Sequence, residues 1–216
     1  MSDQAKRESV NTATHLAGAV FATFGALLLL FASYGDWWKF ASFTVYGFCL
    51  IALFTMSALY HGVRGSDKLN RRLRTLDYVS VYALIAGTIT PVCLVLFRNA
   101  TGMAVFIVAL LVTAFGVTMR SVYHTLPEYV SMTLYLCLGW LPVLMLLLEP
   151  NIVPAGGVLW LTLGGLCYTG GAIVFALEKR AKKQLALGYH EIWHIAVLAG
   201  AFCHYVFMYA YVLSAQ

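Results

Sequence analysis

Residues 190–213 read H-E-I-W-H-I-A-V-L-A-G-A-F-C-H-Y-V-F-M-Y-A-Y-V-L, and Glu191 is the sole Lys, Arg, Asp or Glu among them. A helix needs about 20 mainly apolar residues to cross the hydrocarbon core of a bilayer. Six earlier runs have the same character, at 15–34, 40–61, 77–97, 102–119, 129–148 and 156–177. The sequence therefore predicts an all-α polytopic membrane protein with seven transmembrane helices.

The overall composition points to the same class. Hydrophobic residues make up 61% of the 216 positions and charged residues 11%, which excludes a soluble globular domain with a polar exterior. The formal net charge of +5 would suit nucleic acid, but the basic residues fall in short blocks between apolar runs, as in loops that face anionic lipid. We expect no nucleic-acid partner.

Special residues inside the runs are compatible with spanning helices. Membrane helices tolerate proline, so Pro91 and Pro142 predict kinks rather than ends. The sixth run is rich in glycine, which favours close helix packing. All five cysteines lie in apolar runs without a C-x-x-C pair, which indicates neither a disulfide framework nor a thiolate zinc site.

The N-terminus begins with polar M-S-D-Q-A-K-R-E, which does not resemble a removable signal peptide. Nothing outside the seven runs is long enough for a soluble domain. We expect a single seven-span membrane domain over 1–216, in which residues 1–14 form a short cytoplasmic N-terminal segment.

The distribution of Lys and Arg predicts the topology, because basic residues favour cytoplasmic loops. Lys39 and Arg98 lie on one side, and the other basic residues of the 14 in the chain lie on the side of the N-terminus. These are Lys6, Arg7, Arg64, Lys68, Arg71, Arg72, Arg74, Arg120, Lys179, Arg180, Lys182 and Lys183. The prediction is an inner (plasma) membrane protein with its N-terminus cytoplasmic and its C-terminus outside.

Three histidines and an aspartate lie at the ends of three predicted spans. His61 ends the second span, Asp77 begins the third, and His190 begins the seventh with His194 one turn later. The predicted topology brings all four to the cytoplasmic side at one depth. Since that topology rests on Lys and Arg alone, the convergence is independent support for a shared site.

This set of side chains is typical of a metal centre. His190 and His194 share one helix face at i and i+4, and His61 offers a third nitrogen. Three protein ligands with one open position are typical of catalytic zinc; thiolate-free imidazole ligation suits zinc best, with iron and copper left open. Asp77 is then placed to orient or deprotonate a water. Ser57, one turn before His61, is placed to fix that water or stabilise an oxyanion.

Other interpretations of the same residues stay open. H-E-I-W-H matches the H-E-x-x-H signature of zinc proteases, which would make Glu191 a general base. That pattern is short enough to arise by chance, and it leaves the third ligand unidentified. Glu191 at a helix start also suits the positive end of the helix dipole, and single interfacial histidines often only anchor a helix.

The remaining histidines fall into three settings. A polar cluster at the start of the first span comprises Glu8, Asn11, Thr14 and His15. His15 is expected either to cap that helix or to cover the site. His124 is expected in a solvated loop. His204 lies about 15 Å deeper than His194, too far to share its ion, which suggests a cavity wall or a proton path.

Together these motifs resemble the haemolysin-III family, the bacterial branch of the progestin and adiponectin receptor group, in a wider set of seven-span hydrolases that includes alkaline ceramidases. The resemblance rests on E-S-V-N-T-A-T-H at 8–15, S-A-L-Y-H at 57–61, L-D-Y at 76–78, I-A-G-T-I-T-P at 85–91 and H-E-I-W-H-x9-H at 190–204.

The resemblance implies a site as well as a fold. It implies seven spans with the N-terminus inside and a zinc site near the cytoplasmic face. In that site His61, His190 and His194 would be the ligands, with Asp77 holding the water and Ser57 beside it.

Three functions follow as hypotheses. The first is a zinc-dependent hydrolase acting on an amide or ester bond of a membrane lipid or other fatty-acyl substrate, with a role in membrane lipid homeostasis. The second is a non-enzymatic regulator or sensor of membrane fluidity, in which zinc clips the second, third and seventh spans together. The third is a cytolytic, pore-forming haemolysin; seven permanent spans argue against a secreted toxin.

Overall fold

The computed structural model describes residues 3–123, 127–178 and 187–215, with side chains from residue 8. This part of the chain consists of helices joined by short non-helical connections. Helices are expected because, inside a bilayer, backbone groups must find their hydrogen-bond partners within the segment. The helices are α1 Asp3–Ala32, α2 Trp37–Gly62, α3 Asp67–Pro91, α4 Ala100–Val122, α5 Glu128–Gly139, α6 Leu141–Leu148, α7 Ala155–Leu177 and α8 Tyr189–Phe207.

Seven helical segments in the described residues are long and apolar enough to cross a membrane, with α5 and α6 together forming the fifth. The prediction of an all-helical, seven-span membrane protein is thereby confirmed. Which end of the bundle faces the cytoplasm stays a prediction from Lys and Arg, and the basic residues at 179–183 lie outside the described residues.

Two helices begin well before the apolar runs that predicted them. α1 starts at Asp3 rather than near residue 15, and α3 starts at Asp67, about 15 Å before Asp77 along the helix. The side chain of Ser66 caps α3 by accepting a hydrogen bond from the backbone N–H of Leu69. Asp77 therefore lies inside a helix and not at its start, because an apolar run marks only the part that suits hydrocarbon.

Both prolines within spans change the local winding without ending the span. Pro91 is the last residue of α3, and a π-helical turn, Val92–Leu96, continues the segment. Pro142 lies in the first turn of α6, directly after the break that separates α5 from α6. Proline removes a backbone donor, so the helix adjusts at these points.

α7 packs closely along α8, and α1 and α3 both pack on α2. A Cβ atom at Gly164 of α7 would clash with the ring of His204, and one at Gly171 would lie 2.6 Å from Cβ of Ala196. These glycines serve the close helix packing that the sequence predicts. α3 is the most buried of the seven spans, and Asp77 on this helix is partly buried.

Candidate metal centre

The three predicted ligands meet at one end of the bundle. His61 lies in the last turn of α2, while His190 and His194 occupy the first two turns of α8. One nitrogen from each ring lies within 4.8 Å of the other two. The Nε2 atoms of His61 and His190 are 3.3 Å apart, although the two residues are separated by 129 positions in the sequence. This three-histidine group is able to bind a metal ion.

The chemistry of the group suits a divalent transition metal. It is built from imidazole alone, and all five cysteines lie elsewhere as free thiols. Two ring nitrogens at 3.3 Å must share a proton or a cation, because two lone pairs at that distance repel. The Nδ1 atom of His194 is buried without a hydrogen-bond partner among the described residues. Imidazole ligands suit zinc, copper, iron and nickel, so the ligand set alone does not choose the metal.

Asp77 and Ser57 lie beside this group. Both line a cavity that is also lined by His190 and His194 but not by His61, and the Ser57 hydroxyl interacts with the Asp77 carboxylate. Asp77 is also close enough to His61 for an electrostatic interaction. It does not belong to the three-histidine group, whose ligand atoms lie within 4.8 Å of one another. The pair therefore borders the cavity and is not part of the group of candidate ligands.

The cavity has a volume of ≈ 130 Å³ and extends along α8 from His190 to His204, a helical rise of about 20 Å. Its wall between these histidines is mostly apolar and includes Leu53, Val81, Leu84 and Val197. His204 lies on the wall, and its Nε2 is 3.2 Å from the carbonyl oxygen of Leu161. The cavity is thus mostly apolar, with histidine side chains near both ends.

His15 covers the group from α1. Its ring lies over that of His194, with 3.9 Å between ring centroids, and it is only 3% exposed. Both of its ring nitrogens are buried and lack a hydrogen bond of ordinary geometry among the described residues. His15 was predicted either to cap α1 or to cover the site, and this geometry favours the second role.

The protease-like alternative gains no support from the geometry. Glu191 is buried, but within the described part of the chain it belongs neither to the three-histidine group nor to the cavity wall. His124, predicted to lie in a solvated loop, falls outside the described residues.

Two neighbours of the site were not singled out from the sequence. Oε2 of Glu8 lies 2.6 Å from Nδ1 of His61, although Glu8 was predicted only as part of a polar cluster. Arg120 was counted as a loop cation, yet it is 3% exposed at the end of α4, with its guanidinium 3.6 Å from the ring centre of Tyr78. In the sequence, these two residues are marked only as polar side chains at the end of a predicted span.

Seven apolar helices with a histidine cluster at one end define a polytopic membrane protein with a candidate metal centre. Comparison with known proteins then gives the family. The chain belongs to the family described as Haemolysin-III related, whose sequence pattern matches residues 3–205. This confirms the resemblance drawn from the sequence motifs.

Relatives align over nearly the whole chain. Hemolysin-3 of Bacillus cereus is 29% identical over 216 residues, covering 99% of this chain and 95% of the relative. The Hemolysin-3 homolog of Bacillus subtilis (strain 168) is 28% identical over 91% of this chain and 90% of its own length. Monocyte to macrophage differentiation factor of Homo sapiens is 29% identical, covering 94% of this chain and 83% of that protein.

Proposed function

We propose that the protein is a zinc-dependent hydrolase of an amide or ester bond in a membrane lipid, with its site near the cytoplasmic face of the inner membrane. One observation carries the proposal: three imidazoles converge at one point, and two of them, His190 and His194, line an apolar cavity that also presents a carboxylate and a hydroxyl. Ionisable side chains are costly in a membrane span, so their gathering at one point favours a functional site.

His61, His190 and His194 would hold the ion. When bound, zinc supplies a Lewis acid and makes a water acidic enough to act as a nucleophile near neutral pH. Three protein ligands leave a position open for that chemistry, whereas structural zinc sites usually have four.

Asp77 and Ser57 would complete the reacting centre. The Asp77 carboxylate is the nearby acceptor for a proton from the attacking water. The Ser57 hydroxyl, which interacts with Asp77, would hold that carboxylate in place or donate to the oxyanion that forms at the substrate carbonyl.

The cavity favours a fatty-acyl substrate. Its apolar wall runs from the histidine group towards His204, so an acyl chain lying in it would bring its carbonyl to the metal end. Burial of each methylene group contributes about 0.8 kcal/mol. We propose that the lipid enters from the bilayer and that the reaction serves membrane lipid homeostasis.

A second function has one observation in its favour. The three histidines come from α2 and α8, so a bound ion would tie together helices that are far apart in sequence. Zinc would then be a structural clip in a membrane-fluidity regulator. The clip would join these two helices, without a ligand from α3.

The test is hydrolysis by the purified protein with zinc present or removed. Ceramides and phospholipids are offered in mixed micelles, and the released fatty acid is measured. The proposal predicts zinc-dependent release from at least one lipid class. No release from any lipid, together with a melting temperature that rises when zinc is added, would reject the hydrolase and favour the clip.

A further inference from the structure

Helix α1 makes a direct polar contact with the metal centre. Oε2 of Glu8 is 2.6 Å from Nδ1 of His61, across a separation of 53 residues. The His61 side chain is 6% exposed and that of Glu8 is 39% exposed. The contact therefore joins a buried imidazole to a carboxylate that stays in reach of water.

The approach of α1 to α2 is built to bring these groups together. Thr12, one turn after Glu8, donates its hydroxyl to the Glu8 carbonyl at 2.8 Å. A Cβ atom at Gly62 would lie 2.9 Å from Cγ2 of Thr12. Because residue 62 has no side chain, the turn of α1 that carries Glu8 can pack against the end of α2 that carries His61.

The contact with Glu8 decides which ring nitrogen of His61 has a lone pair available for a metal ion. A neutral imidazole has one N–H and one lone pair. A carboxylate at Nδ1 holds the proton there and leaves the lone pair on Nε2. That Nε2 atom is the one that faces Nε2 of His190 at 3.3 Å, so the free lone pair points into the three-histidine group.

We propose that Glu8 is a positioning residue of the metal centre: it fixes His61 in the Nδ1–H tautomer and holds its ring so that Nε2 faces the ion. The inference rests on the proposed metal site, to which it adds a polar contact from α1. Glu8 acts through His61 and does not itself coordinate the ion. Partners of this kind orient ligands and raise their basicity in metal sites generally.

The first test is the zinc affinity of the full chain in nanodiscs, measured by competition with a chelator. Loss of such a partner typically weakens metal binding about 10-fold to 100-fold. We expect Glu8→Gln to weaken zinc binding about 10-fold, at the low end of this range, because water can reach the exposed position and replace part of the contact. Glu8→Asp keeps a carboxylate and should lose less. Glu149→Gln, at the end of α6, is the matched control and should bind like the wild type.

The second measurement reports the tautomer without metal or activity. With 15N-labelled histidine in the metal-free chain, the two ring nitrogens of His61 should show an Nδ1–H signature in the wild type and in Glu149→Gln. Glu8→Gln should shift these signals towards a mixture of tautomers. A purely structural tether between α1 and α2 would leave this signature unchanged.

The outcomes separate this inference from the site on which it rests. Equal zinc affinity in wild type and Glu8→Gln, or an unchanged His61 signature, would overturn the role of Glu8 and leave the three-histidine site standing. A wild-type chain that takes up no zinc would instead overturn the site itself, and the role of Glu8 with it.

Discussion

His194 is the most enclosed of the three candidate ligands. It is 2% exposed, and its ring contacts those of His15, His61 and His190. A buried polar atom without a partner costs about 1–3 kcal/mol, and Nδ1 of His194 is such an atom within the described residues. A water or an ion that reached this atom would offset that cost.

Substitutions of Asp77 and of Glu191 should have different effects on lipid hydrolysis. Asp77→Asn keeps the size of the side chain but removes the proton acceptor, so lipid hydrolysis should fall by about 10²-fold to 10⁴-fold while bound zinc stays. Glu191→Gln should retain most of the hydrolysis, because Glu191 is not on the described cavity wall. Fatty-acid release and zinc content of both variants check this. Full activity in Asp77→Asn with loss in Glu191→Gln would favour the H-E-x-x-H mechanism instead.

The helices show which parts of the site a sequence can predict. The i and i+4 spacing places His190 and His194 on one face whatever else the helix contacts. The pairs Glu8–His61 and His15–His194 depend on how α1 is rotated against α2 and α8. α1 carries apolar residues around most of its circumference, so its sequence does not fix that rotation. The apolar runs do not predict the starts of α1 and α3, because polar turns extend both helices at their N-terminal ends.

Close packing of α7 on α8 predicts a sharp difference between two glycines of one helix. Gly164→Ala would force a Cβ atom into the ring of His204, at a cost of about 1–3 kcal/mol. Gly170→Ala is the matched control, since no atom lies within 4 Å of a Cβ there; it should be neutral or stabilising by up to about 1 kcal/mol. Unfolding in detergent measures both. Equal stability of the two variants would contradict the packing of α7 on His204.

At the scale of the whole molecule, the histidine group shares one end of the bundle with a group of exposed basic residues. Arg64 and Lys68 follow the end of α2 that carries His61, and both are exposed. Basic residues favour the cytoplasmic side, so we expect the proposed site to face the cytoplasm. The sequence predicts this orientation only through charge, because apolar length is the same in either direction.

Fusion reporters check the orientation. With seven spans and a cytoplasmic N-terminus, a C-terminal fluorescent protein that folds only in the cytoplasm should stay dark, and a C-terminal alkaline phosphatase should be active. An N-terminal fluorescent fusion is the matched control and should be bright. A bright C-terminal fusion would place both the C-terminus and the site on the sides opposite to those proposed.

The metal content of the purified chain tests the central claim most directly. After exposure to zinc and removal of loosely bound ions, the wild type should retain about one zinc per chain, because His61, His190 and His194 form one group. His194→Ala should lose it, since two imidazoles remain, and Glu149→Gln should keep it. A His194→Ala chain that retains zinc as the wild type does would contradict the account.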